Sequence, residues 1–251
     1  MKVYILQNSD EQFATIECGV AYYGFKLLGW EIIPFQSLTA IADFQPGDLV
    51  VGRILDINIA LELSAVARPL PLDYPPELRQ FLGRKIWQST IDDLVASSQW
   101  GIFIKPATEC KKFTGRAILN SQDLIKCGDL FDGSQLVWCA ELVEFRSEWR
   151  CFVRYNKILG VHLYQGDWRL AGDPQVIEAA VAAYTSAPTG YAIDFGVTST
   201  GETLVIEVND GYALGNYGLP PIYYAQLLSA RWAELTDTED YGITLSEVFE
   251  P

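Results

Sequence analysis

Two acids and an amide, Asp194, Glu207 and Asn209, fall within YAIDFGVTSTGETLVIEVNDGYALGNY, residues 191–217. β-Branched and aromatic runs on either side of Thr-Ser-Thr-Gly read as the arms of a hairpin, with Gly201 supplying the positive φ of a tight turn. A turn centred on Thr200 and Gly201 sets Asp194 opposite Glu207 and Ala192 opposite Asn209. Side chains alternate along a strand, so Glu207 and Asn209 share a face and Asp194 projects to that same face. Carboxylates that close repel each other unless a cation sits between them. Oxygen-only donors suit magnesium, which keeps several waters and also takes substrate phosphates. The alternative is a half-exposed sheet whose acids face water; Asp194 interrupts an otherwise apolar strand, which counts against it.

Cationic residues cluster upstream. The apolar strand Gly101 to Lys105 ends in a lysine just before Pro106, and Lys111, Lys112, Thr114 and Gly115 follow in a loop. A lysine at a strand end is commonly only a solvated terminus. A loop that joins a hydroxyl, a small residue and several cations can instead close over phosphates. Farther on, Glu148, Arg150, Phe152 and Arg154 alternate along one strand face, which is either an exposed ion-pair ladder of little energetic weight or a charged wall of a site.

An Asp followed, on the next strand, by Glu-x-Asn resembles the magnesium signature of the ATP-grasp superfamily, and residues of about 80 to 230 resemble its order of motifs. The resemblance implies an α+β fold of two lobes clasping ATP. It also implies activation of a substrate carboxylate as an acyl phosphate. On it, magnesium would lie on Asp194, Glu207 and Asn209. Lys105 and residues 107–116, with Lys112, Thr114 and Gly115, would hold the phosphates. The first phosphate-contacting cation would be Arg84 rather than Lys85, since Lys85 would share its opposite face with Trp87. Glu141, Leu142 and Val143 would form the adenine hinge, and Glu148 would accept the ribose hydroxyls. Many family members carry an arginine two residues before the magnesium aspartate, where this chain has Ala192. Arg150 or Arg154 would have to supply that charge. Gly211, Gly215 and Gly218, around Asn216 and Tyr217, resemble the substrate-side loop, with Tyr212 beside it and Arg53 as a possible carboxylate anchor from the N-terminal lobe.

The elements that would position these groups divide into two parts. KVYIL (2–6), a helix over 13–28, strands at 30–35 and in DLVVGRI, and a helix over 57–67 read as a small α/β lobe preceding the ATP-grasp domain. The Pro-rich stretch 69–76 is the boundary candidate, giving residues 1–80 and 81–251, the latter with a small lobe to about residue 140 and a large lobe from 141. Strands are expected at 83–87, 136–143, 148–155 and 158–164, with 145–147 as a break. Helices are expected at 91–96 capped by Ser89 or Thr90, from Asp173-Pro174 to Tyr184, from Pro220-Pro221 to about Trp232, and over 245–249.

Composition narrows the classes. The chain has 251 residues, 49% of them apolar, and a formal charge of −14 from 18 basic and 32 acidic residues, which disfavours nucleic acid and anionic membranes as partners. Five cysteines without a Cys-x-x-Cys pair suggest neither a disulfide framework nor a zinc site and point to the cytoplasm. The single His162 lacks an adjacent nucleophile, against a triad hydrolase. The expectation is an ADP-forming ligase joining a small-molecule or peptide carboxylate to an amine or other nucleophile, as monomer or homodimer. A nucleotide-binding module without turnover and a small-molecule kinase are the rival classes.

Overall fold

The computed structural model describes residues 1–38, 44–45, 47–108, 113–125 and 133–242. Three sheets organise them. The first comprises β1 (Lys2–Leu6), β2 (Glu31–Phe35) and β3 (Leu49–Val51), all parallel in the order β2-β1-β3. The helix α1 (Ile16–Leu27) makes the crossover from β1 to β2, and α2 (Ile54–Leu63) follows β3. Thr15 caps α1 by accepting from the Cys18 amide at 3.3 Å, which places the helix start after the predicted one and leaves Phe13 to bridge Gln7. The α2 helix also starts earlier than its apolar pattern suggested, because the Asp56 carboxylate accepts from the Arg53 amide at 3.0 Å.

The second sheet is antiparallel, in the order β4-β7-β5-β6: β4 (Ile86–Thr90), β5 (Ile102–Pro106), β6 (Arg116–Ile118) and β7 (Leu136–Glu141). The short helices α3 (Ile91–Ala96), capped by Thr90, and α4 (Ser121–Ile125) accompany it. Its core is small and self-contained, built on Ile91, Leu94, Ile104 and Val137.

The third sheet, also antiparallel, has the order β11-β10-β8-β9: β8 (Phe145–Arg154), β9 (Lys157–Gly166), β10 (Gly190–Thr198) and β11 (Thr203–Asp210). The break expected at 145–147 is absent. Phe145 already pairs with Thr198, and its ring lies where a Cβ on Gly196 would meet it at 2.1 Å, so strand pairing extends one turn earlier than alternation alone suggested. Helix α5 (Pro174–Ala183), capped by Asp173, covers one face with Tyr184 and Tyr191 in the core. Helix α6 (Pro221–Thr236) covers the other. There α6 meets α1 so closely that a Cβ on Gly24 would lie 2.0 Å from the Pro221 carbonyl oxygen. One apolar core therefore runs from β1 and α1 through Tyr224 and Leu228 of α6 to Phe152 and Ala192 of the third sheet. The helix expected over 245–249 lies outside the described residues, and among the described ones no helix is long and apolar enough to cross a membrane.

Candidate active site in the cleft between the second and third sheets

The hairpin β10–β11 sets the register of the site. Gly201 adopts φ +87°, its amide donates to the Thr198 carbonyl at 3.0 Å, and a bulge between Asp194 and Phe195 adds one residue on β11. The turn is thus centred on Thr200 rather than between Thr200 and Gly201, and the bulge restores the predicted pairs: Asp194 opposite Glu207, Ala192 opposite Asn209. On the other side of β10, Asp194 pairs with Arg150 of β8. Glu207, Asp194 and Arg150 therefore form a row across three neighbouring strands.

The row is tightly bonded. The Arg150 guanidinium grips Asp194 bidentately, Nε to Oδ1 and Nη2 to Oδ2 each at 2.7 Å, with both side chains buried. The Asn209 amide nitrogen donates to Asp194 Oδ2 at 3.0 Å and to Glu207 Oε1 at 3.4 Å. Burial pushes the Asp194 carboxyl up, against the opposing pull of Arg150. Arg150 is itself held up: its own burial works against the charge, and the hydrogen bonds and charge of Asp194 outweigh it. The Tyr217 ring lies over its other side at 4.6 Å and stacks on Tyr164 at 4.9 Å. Tyr217 adopts φ +41°, a left-handed backbone that its surroundings must hold in place.

Lys105 descends from the facing sheet. Its ammonium is 2.5 Å from Glu207 Oε2 and 2.5 Å from Asp73 Oδ1. Burial opposes its charge, but Glu207, Tyr74 and Asp73 together keep it well above the ordinary lysine range. Around these groups opens a cleft of about 800 Å³, lined from one side by Lys105, Thr114 and Gly115 and from the other by Glu207, Asn209 and Glu148. Gly115 has little room for a side chain, since a Cβ there would stand 2.5 Å from the Phe103 ring.

The remaining predicted residues are distributed as follows. Arg84 precedes β4, where a strand from residue 83 was expected, and lines the cleft. Its guanidinium donates to the carbonyls of Leu82 and Val205 at 2.8 Å and Ile206 at 3.0 Å, tying the small lobe to the bulged part of β11. Lys85 turns away and lies over Trp87 at 5.1 Å. Glu141, Leu142 and Val143 line the cleft past the end of β7, and Glu141 accepts from the Lys85 amide at 2.9 Å. Glu148 accepts from Tyr164 Oη at 2.7 Å and from Gln165 at 3.1 Å. Tyr212 and Tyr217 line the cleft. Lys112 lies outside the described residues.

Three residues are not brought into the group. Arg154, four residues beyond Arg150 on β8, pairs with Asp240 at 2.8 Å and is not on the cleft wall, so of the two arginines only Arg150 adjoins Asp194. The strand carries the two in phase and neither lines the cleft itself; Arg150 differs in gripping Asp194, which stands beside the cleft-lining Glu207 and Asn209. Asn216 is buried in a turn, donating to the Leu219 carbonyl at 2.7 Å and accepting from the Gly218 amide at 3.0 Å. Arg53 caps α2 and reaches Asn8 at 3.4 Å, while its neighbour Ile54 lines the cleft. His162 packs edge-on against Phe152, and burial lowers its pKa.

Sequence reasoning missed Asp73 and Trp138. Asp73 lies in the Pro-rich stretch read only as a boundary, and Trp138 donates to its Oδ2 at 2.9 Å. The Lys105–Trp138 register pair follows from β5 and β7, but nothing local marks a proline-flanked aspartate as a member of a distant site.

Two facing sheets with a cleft between them and an Asp/Glu-x-Asn hairpin on its floor define the ATP-grasp fold. Residues 81–227 match the family model described as ATP-grasp domain, R2K clade family 2, and the chain belongs to that family. The fold is shared with a D-cycloserine synthetase, DcsG, at 13% identity, covering 92% of this chain and all of that one with a TM-score of 0.60. It is also shared with a D-alanine–D-alanine ligase from Bacillus anthracis, at 14% identity, 94% and 96% coverage and a TM-score of 0.54. A RimK domain ATP-grasp protein from Sphaerobacter thermophilus aligns over 90% and 98% of the two chains, at 14% identity and a TM-score of 0.51. No curated protein matches the sequence.

Proposed function

We propose that the protein is an ATP-dependent ligase that joins a carboxylate to an amine or other nucleophile through an acyl phosphate, releasing ADP and phosphate. The observation that carries this reading is the row Glu207–Asp194–Arg150, with Glu207 and Asn209 lining the cleft, Asp194 and Arg150 buried behind them, and Lys105 on Glu207 from the other sheet. The donor chemistry fits magnesium: Glu207 has lone pairs beyond those taken by Lys105 and Asn209, Asp194 has lone pairs beyond those taken by Arg150, and the Asn209 amide can rotate its oxygen inward. Among the described residues no group of three or more His, Cys, Asp or Glu side chains is placed to hold a metal ion, so an ion on these two acids and one amide would need waters and phosphate oxygens to complete it. A magnesium ion held by Asp194, Glu207 and Asn209 would neutralise phosphate charge.

The chain's own residues would do the rest. Lys105 would exchange Glu207 for a phosphate oxygen, and the amides and hydroxyl around Thr114 and Gly115 would cover the phosphates from the small lobe. Glu141 to Val143 would present the hinge to the adenine, and Glu148 would accept the ribose hydroxyls in place of Tyr164. Arg150, fixed by Asp194, would keep positive charge beside the phosphoryl group as it passes to the carboxylate. Positioning and charge dominate that step. Tyr212 and Tyr217 would border the acceptor. The structural relatives that make D-cycloserine or D-alanyl-D-alanine, as their names state, support this class of reaction.

A nucleotide-binding module without turnover is the second reading. It is favoured by Ala192 and by the bidentate hold of Arg150 on both Asp194 oxygens. Isothermal titration with a non-hydrolysable ATP analogue, with and without magnesium, tests the shared premise: binding should require magnesium and be lost in Asp194→Ala and Glu207→Ala. ADP release on presenting carboxylate and amine pairs then separates ligase from module.

A further inference from the structure

Asp73 is an unusual residue to find in a phosphate cleft. It adopts φ +41°, and its carbonyl accepts from the Val208 amide at 2.8 Å, so the Pro-rich strap docks on the strand that carries Glu207. Its carboxylate is buried, with one oxygen on the Lys105 ammonium and the other receiving Trp138 Nε1. Tyr74 beside it packs edge-on against Trp138 and lies 5.3 Å from the same ammonium. A strained, buried aspartate held at three points, by Lys105, Trp138 and the Val208 amide, is a position the fold specifies. Lys105 is thereby clamped between two acids, and the three charges sum to a net negative.

Resting on the reading of this cleft as a nucleotide site, we propose that Asp73 is a positioning residue that withholds Lys105 from bare phosphate, so that nucleotide enters only in company with a divalent cation. Polyphosphate arriving alone must take the ammonium from both carboxylates and then stand beside an uncompensated Asp73. Polyphosphate arriving with its cation carries less charge and releases Glu207 from the ammonium, leaving Asp73 as the fixed partner that aims Lys105. The charge on Asp73, rather than its bulk, sets this selectivity.

The test is titration of the non-hydrolysable ATP analogue in magnesium and in EDTA. In Asp73→Asn, which keeps an oxygen for Trp138 Nε1, affinity in EDTA should rise by about tenfold, the order expected for removing one unit charge facing a polyanion. Affinity in magnesium should change far less. Trp138→Phe, which loosens the strap but keeps the charge, should show no gain in EDTA. An unchanged ratio in Asp73→Asn overturns the proposal. So does equal weakening under both conditions, which marks a structural role, and so does weakening confined to magnesium, which marks a cation ligand. If Asp73→Asn does not fold, tripolyphosphate binding to the wild type decides: affinity in EDTA equal to that in magnesium overturns the proposal, and affinity weaker in EDTA by about tenfold or more supports it. Failure of the wild type to bind analogue in magnesium would instead remove the nucleotide reading itself.

Discussion

Strand β8 carries two arginines in phase, and the surroundings of Arg150 and Arg154 differ in kind. At Arg154, Asp240 receives the guanidinium, the Tyr155 hydroxyl at 3.0 Å, the Ser229 hydroxyl at 2.6 Å and the Gly242 amide at 2.8 Å. Among the described residues these partners lie at the end of β8, on α6 and in the segment that follows it, and none of them lines the cleft. At Arg150 the same pairing chemistry sits under an open cleft, next to a second acid, an amide and a lysine from another sheet. Charge pairs become a site when a cavity gives them a competing partner, and become ballast when it does not.

That contrast can be broken at both ends. The largest effect is expected for Arg150→Met and Arg154→Met. Each leaves a buried carboxylate without its cation and should cost about 3–5 kcal/mol by urea unfolding. Only Arg150→Met should also abolish magnesium-dependent binding of the ATP analogue; loss of binding in both at a temperature where both are folded would erase the distinction. Next, Asp240→Asn should lower stability by about 1–3 kcal/mol, because three donors and a guanidinium lose part of their acceptor, with nucleotide binding untouched. Glu207→Gln should do the reverse. Glu207 is partly exposed, so stability should move by no more than about 1 kcal/mol while the response to magnesium disappears.

The smallest effect lies at Glu234, in the last turn of α6. Its partial burial raises the carboxyl, but hydrogen bonds from Thr189 and Arg231 outweigh that and leave the pKa lowered. A depressed carboxyl stabilises the fold above its unfolded value of 4.5 and loses that contribution as the pH falls through the folded value. Because the group is half-exposed, the effect should be below about 1 kcal/mol. Urea midpoints of wild type and Glu234→Gln should differ at pH 6 and converge towards pH 3; a constant difference would mean that Glu234 does not contribute through its charge.

The cleft floor was legible in the sequence because it is local. Asp194, Glu207 and Asn209 lie within one hairpin, where alternation and one glycine turn fix the geometry, and a bulge shifts the turn without disturbing the pairs. The choice of Arg84 over Lys85 for the cleft side was legible for a similar reason, since Trp87 offered Lys85 a partner on its own side. What could not be read is what depends on distance along the chain. Arg150 and Arg154 look alike on β8, and partners from far segments, Asp194 for one and Asp240 for the other, tell them apart. The partners of Asn216 are backbone groups of its own turn, which residue types do not reveal. Asp73 meets Lys105, Trp138 and Val208 only after three sheets have assembled.

The close crossing of α1 and α6 at Gly24 has a practical outcome for anyone cutting this gene into parts. Because the first sheet and the third share one apolar core, a truncation that keeps only residues 81–251 would strip Phe152, Tyr224 and Leu228 of their cover and is expected to yield insoluble material. The second sheet, with its own core, is the piece that could be transplanted or tilted as a unit.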